Sequence, residues 1–216
     1  MLQFHLSKVL AKDMAMHIQG SATTNTAAAQ PGALQWYAHR VTVNRRKCVL
    51  LMEPQSRYCM VFCGLTKPDF ADFPSLFRDR LWREVLSICK LDDKQSDELR
   101  ALVHLLSEAA VFAPGHDRSV QAHINDVSWH LEDQANASNS LPLEPHEAFA
   151  FGSFANGLIR KRKGEKDYFH PREVFRDFWL GLLQELNADD GVGPVLASLQ
   201  SDERPIPDNV LPFRRK

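Results

Sequence analysis

No stretch of this sequence reaches the ~18 consecutive apolar residues of a membrane span. The opening Met1-Leu2-Gln3-Phe4-His5-Leu6 lacks the basic start and unbroken apolar run of a secretory signal. These absences set the expectation of a cytoplasmic protein with no membrane partner. Cysteine is scarce, four in 216 residues, too few for a disulfide-framework miniprotein. Cys48, Cys59, Cys63 and Cys89 sit mostly in apolar runs, where a free thiol behaves as a small core hydrophobe. Cys59 and Cys63 alone are spaced loosely like metal ligands, yet on a strand they share a face with Val61, which is core behaviour. An excess of one charge is missing too. The 26 Lys and Arg meet 27 Asp and Glu for a net charge of −1, so any electrostatic role falls to local patches. There is no Gly-x-Gly-x-x-Gly, no Gly-x-x-x-x-Gly-Lys-Ser/Thr, no His-Glu-x-x-His and no Gly-x-Ser-x-Gly. Nucleotide-cofactor, P-loop, zincin and serine-hydrolase chemistry therefore lack their usual support, and no cofactor is implied.

What is present is an ordinary soluble composition, 44% hydrophobic and 25% charged, which excludes wholesale disorder and collagen-like repeats. The pattern predicts one α+β domain over residues 1–188, sheet-rich over 1–66 and helical over 67–188. A tail over 189–216, punctuated by Gly191, Gly193, Pro194, Pro205, Pro207 and Pro212, follows it. Residues 2–6 alternate weakly as a short strand, and Ser7 can cap a brief helix carrying Val9, Leu10 and Met14. Gln19 to Gly32 is small and polar without an apolar period, the texture of a mobile loop. Three β-rich runs follow, Gln35 to Val43, Lys47 to Met52 and Arg57 to Cys63. Their short connections, Asn44-Arg45-Arg46 and Glu53-Pro54-Gln55-Ser56, leave only an antiparallel meander. The mostly apolar middle run predicts a central strand covered on both faces.

Beyond Gly64 the period becomes helical. Helices are expected over Asp72 to Lys90, with Phe73, Phe77, Leu81 and Val85 on one stripe, and over Ser96 to Phe112, stopped by Ala113-Pro114-Gly115. Three more are expected near Arg118 to Asp133, Pro145 to Arg160 and Pro171 to Leu186. The helical half is expected to pack on one face of the sheet. In the Arg118 to Asp133 helix, Val120, Ile124, Val127 and Leu131 form the core stripe. Arg118, Ala122, Asn125 and Trp129 lie opposite, an unusual set for a merely solvated surface, which predicts cover on that side as well. Between them run Ser119, His123, Asp126 and His130. His123, Asp126 and His130 are candidate ligands of a metal-dependent hydrolase that needs a further ligand from elsewhere. Ser119 as a nucleophile with His123 as base is disfavoured, since residues four apart on a helix rarely point at each other. The plain alternative is a solvated face with local hydrogen bonds.

Leu2-Gln3-Phe4-His5-Leu6-Ser7-Lys8-Val9-Leu10, Trp36-Tyr37-Ala38-His39, Asn44-Arg45-Arg46-Lys47-Cys48-Val49-Leu50-Leu51, Arg118-Ser119-Val120 and Asn125-Asp126 together resemble an uncharacterised bacterial family. It is a domain of unknown function met in bacterial chromosomes and on mobile elements. The resemblance covers about residues 1–135 and implies no activity. Within the Arg-Ser stretch the family usually carries a Gly where this chain has Ala122. The resemblance marks Trp36, His39, Arg45, Arg46, Lys47, Arg118, Ser119, Asn125 and Asp126 as positions of interest. The structural reading of Arg118 and Asn125 is a buried polar lock between helix and sheet.

The densest charge feature is Arg160-Lys161-Arg162-Lys163-Gly164-Glu165-Lys166. The helix dipole accounts for some cations at a helix C-terminus, but five in seven residues exceed that need. With Arg45, Arg46 and Lys47 at a hairpin tip and Arg214-Arg215-Lys216 at the end, the run can track phosphates, and Trp36, Tyr168 or Phe169 can stack on bases. Helix-turn-helix, zinc-finger and RNA-recognition signatures are missing, so sequence-specific reading is not expected. The leading expectation is a non-catalytic accessory protein that contacts a nucleic-acid backbone or a protein partner through this run. The alternatives are a phosphodiesterase or nuclease using His39 with Arg45 and Arg46, and the metal hydrolase above.

Overall fold

Leu2, Phe4 and Leu6 project to one side of the first strand, β1 (Leu2–Leu6), and Gln3 and His5 to the other, and all five are buried. A strand covered on both faces belongs in the interior of a sheet, and β1 is an interior strand. The computed structural model describes residues 1–15, 33–162 and 164–188. After β1 come α1 (Lys8–Ala15), β2 (Leu34–Val43), β3 (Arg46–Met52), β4 (Cys59–Cys63), α2 (Lys67–Ala71), α3 (Phe73–Cys89) and α4 (Asp93–Leu106). Then follow β5 (Ala110–Pro114), α5 (Arg118–Ser138), α6 (Pro145–Gly157) and α7 (Pro171–Ala188). The architecture is α+β, with a five-stranded mixed sheet in the order β4-β3-β2-β1-β5. Strands β2, β3 and β4 form the expected antiparallel meander, while β1 pairs parallel with both β2 and β5. Among the described residues no helix is long and apolar enough to cross a membrane. The expected loop up to Gly32 and the tail from Asp189 lie outside the described residues.

Three features differ from the sequence reading. First, the expected helix from Ser96 to Phe112 ends at Leu106, and Ala110–Pro114 is a strand. Ser107 terminates α4 by donating its hydroxyl to the Val103 carbonyl (2.5 Å), and the apolar run beyond it gains a full ladder beside β1. Phe112 then stacks on Phe4 with ring centroids 5.2 Å apart. A short apolar run is ambiguous between the two states until a neighbouring strand decides it. Second, β4 starts at Cys59 rather than Arg57, because the preceding residues form a tight turn.

Third, helices cover both faces of the sheet, not one. Leu2, Phe4, Trp36, Val49, Leu51 and Met60 pack under residues of α1, α2, α3, α4 and α7. On the other face Cys48, Leu50, Met52, Cys59 and Val61 meet Val120, Ile124, Val127 and Leu131 of α5 and Phe151 and Ala155 of α6. The stripe expected for α5 is therefore the one buried. Its opposite side is uncovered, since Arg118, Ala122 and Asn125 are exposed and Trp129 is 62% exposed. Between β5 and α5 the chain passes so close to β1 that a Cβ on Gly115 would lie 2.5 Å from the His5 Cβ. Only glycine allows that approach, which sets the start of α5 over the polar side of β1 and β2.

Candidate anion-binding site

The turn between β3 and β4 is organised by one carboxylate. Glu53, 2% exposed, accepts hydrogen bonds on Oε2 from the backbone of Gln55 and Ser56 and from the Ser56 hydroxyl. The Glu53 amide donates to the Tyr58 carbonyl (2.9 Å) and the Arg57 amide to the Glu53 carbonyl (2.9 Å). This closure forces Arg57 into the left-handed region, φ 59°, a conformation that costs a non-glycine residue about 1 kcal/mol or more. The turn thereby holds the Arg57 side chain inward, and the residue is 6% exposed.

Opposite it, Asp117 caps α5 by accepting from the amides of Ser119 (2.7 Å) and Val120 (2.9 Å). Ser119 then accepts a hydrogen bond from Arg57 Nη2 at 3.0 Å. The third wall is the segment after α6, where Arg160 and Phe169 exchange backbone hydrogen bonds of 2.8 and 2.9 Å as a β-bridge. Arg162 ties this segment to the Arg57 turn, donating from Nε (3.1 Å) and Nη2 to the Gln55 carbonyl while its guanidinium lies 4.4 Å over the Phe169 ring. Arg160 is 6% exposed, and its nearest acid is Asp126 of α5, at 4.0 Å.

Two buried guanidinium groups therefore flank the first turns of α5. Burial lowers the pKa of both; at Arg57 it is opposed by Asp117, Glu53 and Glu165 and reinforced by Arg162, and at Arg160 it is opposed by Cys59 and Asp126. His123 feels both. Burial first, then the Arg160 and Arg57 cations, push its pKa down to about 4 against the pull of Asp126, so the ring is neutral at pH 7. Tyr37, on the sheet below, is raised by burial and by Asp117, with Arg57 opposing. The cluster is underbonded. Arg57 Nε and Nη1, Arg160 Nε and Nη2 and His123 Nδ1 are buried without a hydrogen-bond partner. Buried donors of this kind are rare, and an anion offers what they lack.

A model of a domain of unknown function, DUF6933, matches residues 3–174. The chain belongs to the DUF6933 family. The match takes in Arg57, Ser119, His123 and Arg160, and it runs past the residues 1–135 over which a family likeness was legible. No curated protein matches the chain.

Within this DUF6933 chain the residues singled out by sequence are scattered. Trp36 is 1% exposed, packed edge-on to Phe77 and Phe175, and so is unavailable to stack on a base. His39 pairs with Leu50 in mid-strand, whereas Arg46 pairs with Val43, four residues along. At ~3.4 Å per residue the hairpin tip is about 14 Å from His39, so His39, Arg45 and Arg46 form no site. Arg45 and Arg46 are exposed, while Lys47 is pinned to Asp13 (3.1 Å) and lies over the Phe70 ring. Arg118 and Asn125 are exposed, and Asn125 accepts only from Gln121 at 2.8 Å, so they are no buried lock. His130 does not join His123 and Asp126. Its ring packs against Trp129 and Phe154, and no metal-binding group of three occurs among the described residues. With Arg160 beside Asp126, a cation there is also electrostatically disfavoured. The basic run splits: Arg160 turns in, Arg162 is bonded to Gln55 and Glu165, and Lys161 is exposed over Tyr168. Lys163 lies outside the described residues.

Sequence reasoning missed Arg57, because a cation ahead of an apolar strand reads as an ordinary strand start. It also missed the polar groups that set β4 in place. Asn156 of α6 accepts from the Cys59 amide (2.7 Å) and donates to the Cys59 carbonyl (2.9 Å), completing the edge of β4 as a strand would. Arg80 and Tyr58 both bond the wholly buried Glu84, at 2.6 and 2.5 Å.

Proposed function

We propose that this protein is a binding protein that takes an anionic group, a phosphate above all, between Arg57 and Arg160. The observation that carries this reading is the pair of guanidinium groups, each 6% exposed, that keep two nitrogens apiece without a partner. A buried guanidinium left short of hydrogen-bond partners costs free energy that a bound anion returns. A tetrahedral anion offers enough acceptor oxygens to engage two arginine forks, which is why arginine recurs in phosphate recognition. Ser119 Oγ is already engaged by Arg57, and no general base is bonded to it, so the arrangement supports capture rather than covalent chemistry. The exposed side chains of Arg118 and Lys161, next in sequence to Ser119 and Arg160, suit neighbouring phosphates of a nucleic-acid strand. This moves the expected contact from the whole 160–166 run to its first two residues.

The test combines melting temperature in inorganic phosphate with fluorescence anisotropy of a 5′-phosphorylated single-stranded oligonucleotide at two salt concentrations. The wild type is compared with Arg160→Gln and Ser119→Ala. Phosphate is expected to raise the melting temperature saturably in the wild type, less in Ser119→Ala and not in Arg160→Gln. Oligonucleotide binding is expected to weaken steeply with salt. Phosphate binding without oligonucleotide binding would make the ligand a small phosphorylated molecule. Silence from both probes in the wild type would overturn the proposal.

A further inference from the structure

The sequence spacing draws attention to Cys59 and Cys63, but the sheet pairs Cys63 with a different cysteine. In the β3–β4 register Cys48 stands directly opposite Cys63. The hydrogen bonds fix which kind of rung this is. The Gly64 amide donates to the Lys47 carbonyl and the Glu53 amide to the Tyr58 carbonyl, each at 2.9 Å, so the bonded rungs fall on the odd-numbered residues of β3. Cys48 and Cys63 therefore form a non-hydrogen-bonded rung, where side chains come closest and Cα atoms lie about 4.5 Å apart. Disulfides span Cα separations of about 4.4–6.8 Å. The pair falls at the short end of that range, so a bond there forms without backbone movement but under strain, and strained disulfides are the readily reduced ones.

We propose that Cys48 and Cys63 are a reversible oxidation site, converted by a hydroperoxide into a cross-strand disulfide. Cys48 is wholly buried, whereas Cys63 is half-buried on the edge strand β4 and is the more accessible of the two. The Cys48 thiol donates to the Arg46 carbonyl at 3.9 Å. The two thiols titrate as a pair, in which Cys63 pulls the Cys48 thiol down against its burial and Cys48 pushes the Cys63 thiol up. The Cys63 thiol gives its proton to solvent as its sulfur attacks the outer peroxide oxygen. The O–O bond breaks, and an alcohol or water leaves with a proton from solvent, giving a sulfenic acid. The Cys48 sulfur then displaces hydroxide from it, its own proton completing a water molecule, and the S–S bond forms. Two thiols lose two electrons and one hydroperoxide is reduced.

The other two cysteines are internal controls. Cys59 faces Met52 across the sheet, and Cys89 bonds the Arg176 carbonyl. Burial pushes both thiols up to about 12.

The experiment is treatment of the folded full chain with a slight excess of hydrogen peroxide, alkylation of the remaining thiols and peptide mapping by mass spectrometry. Two of the four thiols are expected to disappear from alkylation. A Cys48–Cys63 linked peptide is expected to appear and to revert with dithiothreitol. Cys63→Ala, at the half-buried position, is expected to abolish the linked peptide while leaving Cys59 and Cys89 alkylatable. Retention of all four thiols, over-oxidation of Cys63 without a link, or a link to Cys59 or Cys89 would overturn the proposal. The wild-type map decides the matter even if the variant fails to fold.

Discussion

Asn156 and Asn125 are the same residue type on neighbouring helices, and nothing in their local sequence separates them. Asn156 is wholly buried and satisfies both backbone groups of Cys59, while Asn125 is exposed. Removing a partner from a buried backbone group costs about 1–3 kcal/mol. Asn156→Ala, which strands two such groups at the edge of β4, is expected to destabilise the fold by about 3 kcal/mol, measured by urea unfolding. Asn125→Ala is expected to stay within about 0.5 kcal/mol. A loss at Asn156 no larger than that at Asn125 would show that the amide does not hold β4. The same blindness applied to Arg57 and Trp36. One looked like a strand start and is buried in a polar cluster; the other looked like a stacking platform and is core. A side chain's partners come from distant parts of the chain, here 62 residues away for Arg57 and Ser119.

At the scale of elements, the hairpin between β2 and β3 carries a local conflict. Val43 pairs with Arg46, leaving a two-residue turn in which Asn44 and Arg45 both have positive φ, 47° and 62°. Such turns favour Asn followed by Gly. Arg45 gives up about 1–2 kcal/mol in this conformation, and glycine would return about 0.5–1 of that as unfolded-chain entropy. Arg45→Gly is thus expected to stabilise by about 0.5–1 kcal/mol, seen as a higher urea midpoint with an unchanged slope. A lower midpoint would mean that the Arg45 side chain contributes something the turn geometry does not show. The meander itself was legible because β-rich runs, five to ten residues long as strands and separated by such short connections, have one sensible topology. Strand β5 was not. Its five residues continue an apolar helical period, and only the vacant edge of β1 makes the extended form the better one.

At the scale of the whole molecule, one sheet separates two apolar layers, and three histidines, His5, His39 and His123, lie on its α5 side or on α5 itself. Burial lowers the pKa of all three. A histidine whose folded pKa lies below its unfolded value takes up a proton on unfolding, so its contribution is present above about pH 6.5 and is lost as pH falls toward the folded value. For His123 that window runs from about 6.5 down to about 4. The ring is half in solvent, so the loss is expected to fall well short of the ~3 kcal/mol that the full shift would imply. Unfolding free energies at pH 5, 6 and 7 are expected to decline toward acid, and His123→Gln is expected to flatten that slope. Parallel slopes would show that His123 titrates alike in both states. Composition and period by themselves determined an α+β fold, a three-stranded meander and the core stripes of α3 and α5, because these follow from local spacing and connection length. Only the tertiary structure decided that helices cover both faces of the sheet, that the chain after α4 becomes a strand, that Arg57 reaches Ser119, and that His123 lies under the influence of both Arg57 and Arg160. Those outcomes depend on which distant surfaces bury one another, and no local period in the chain encodes that.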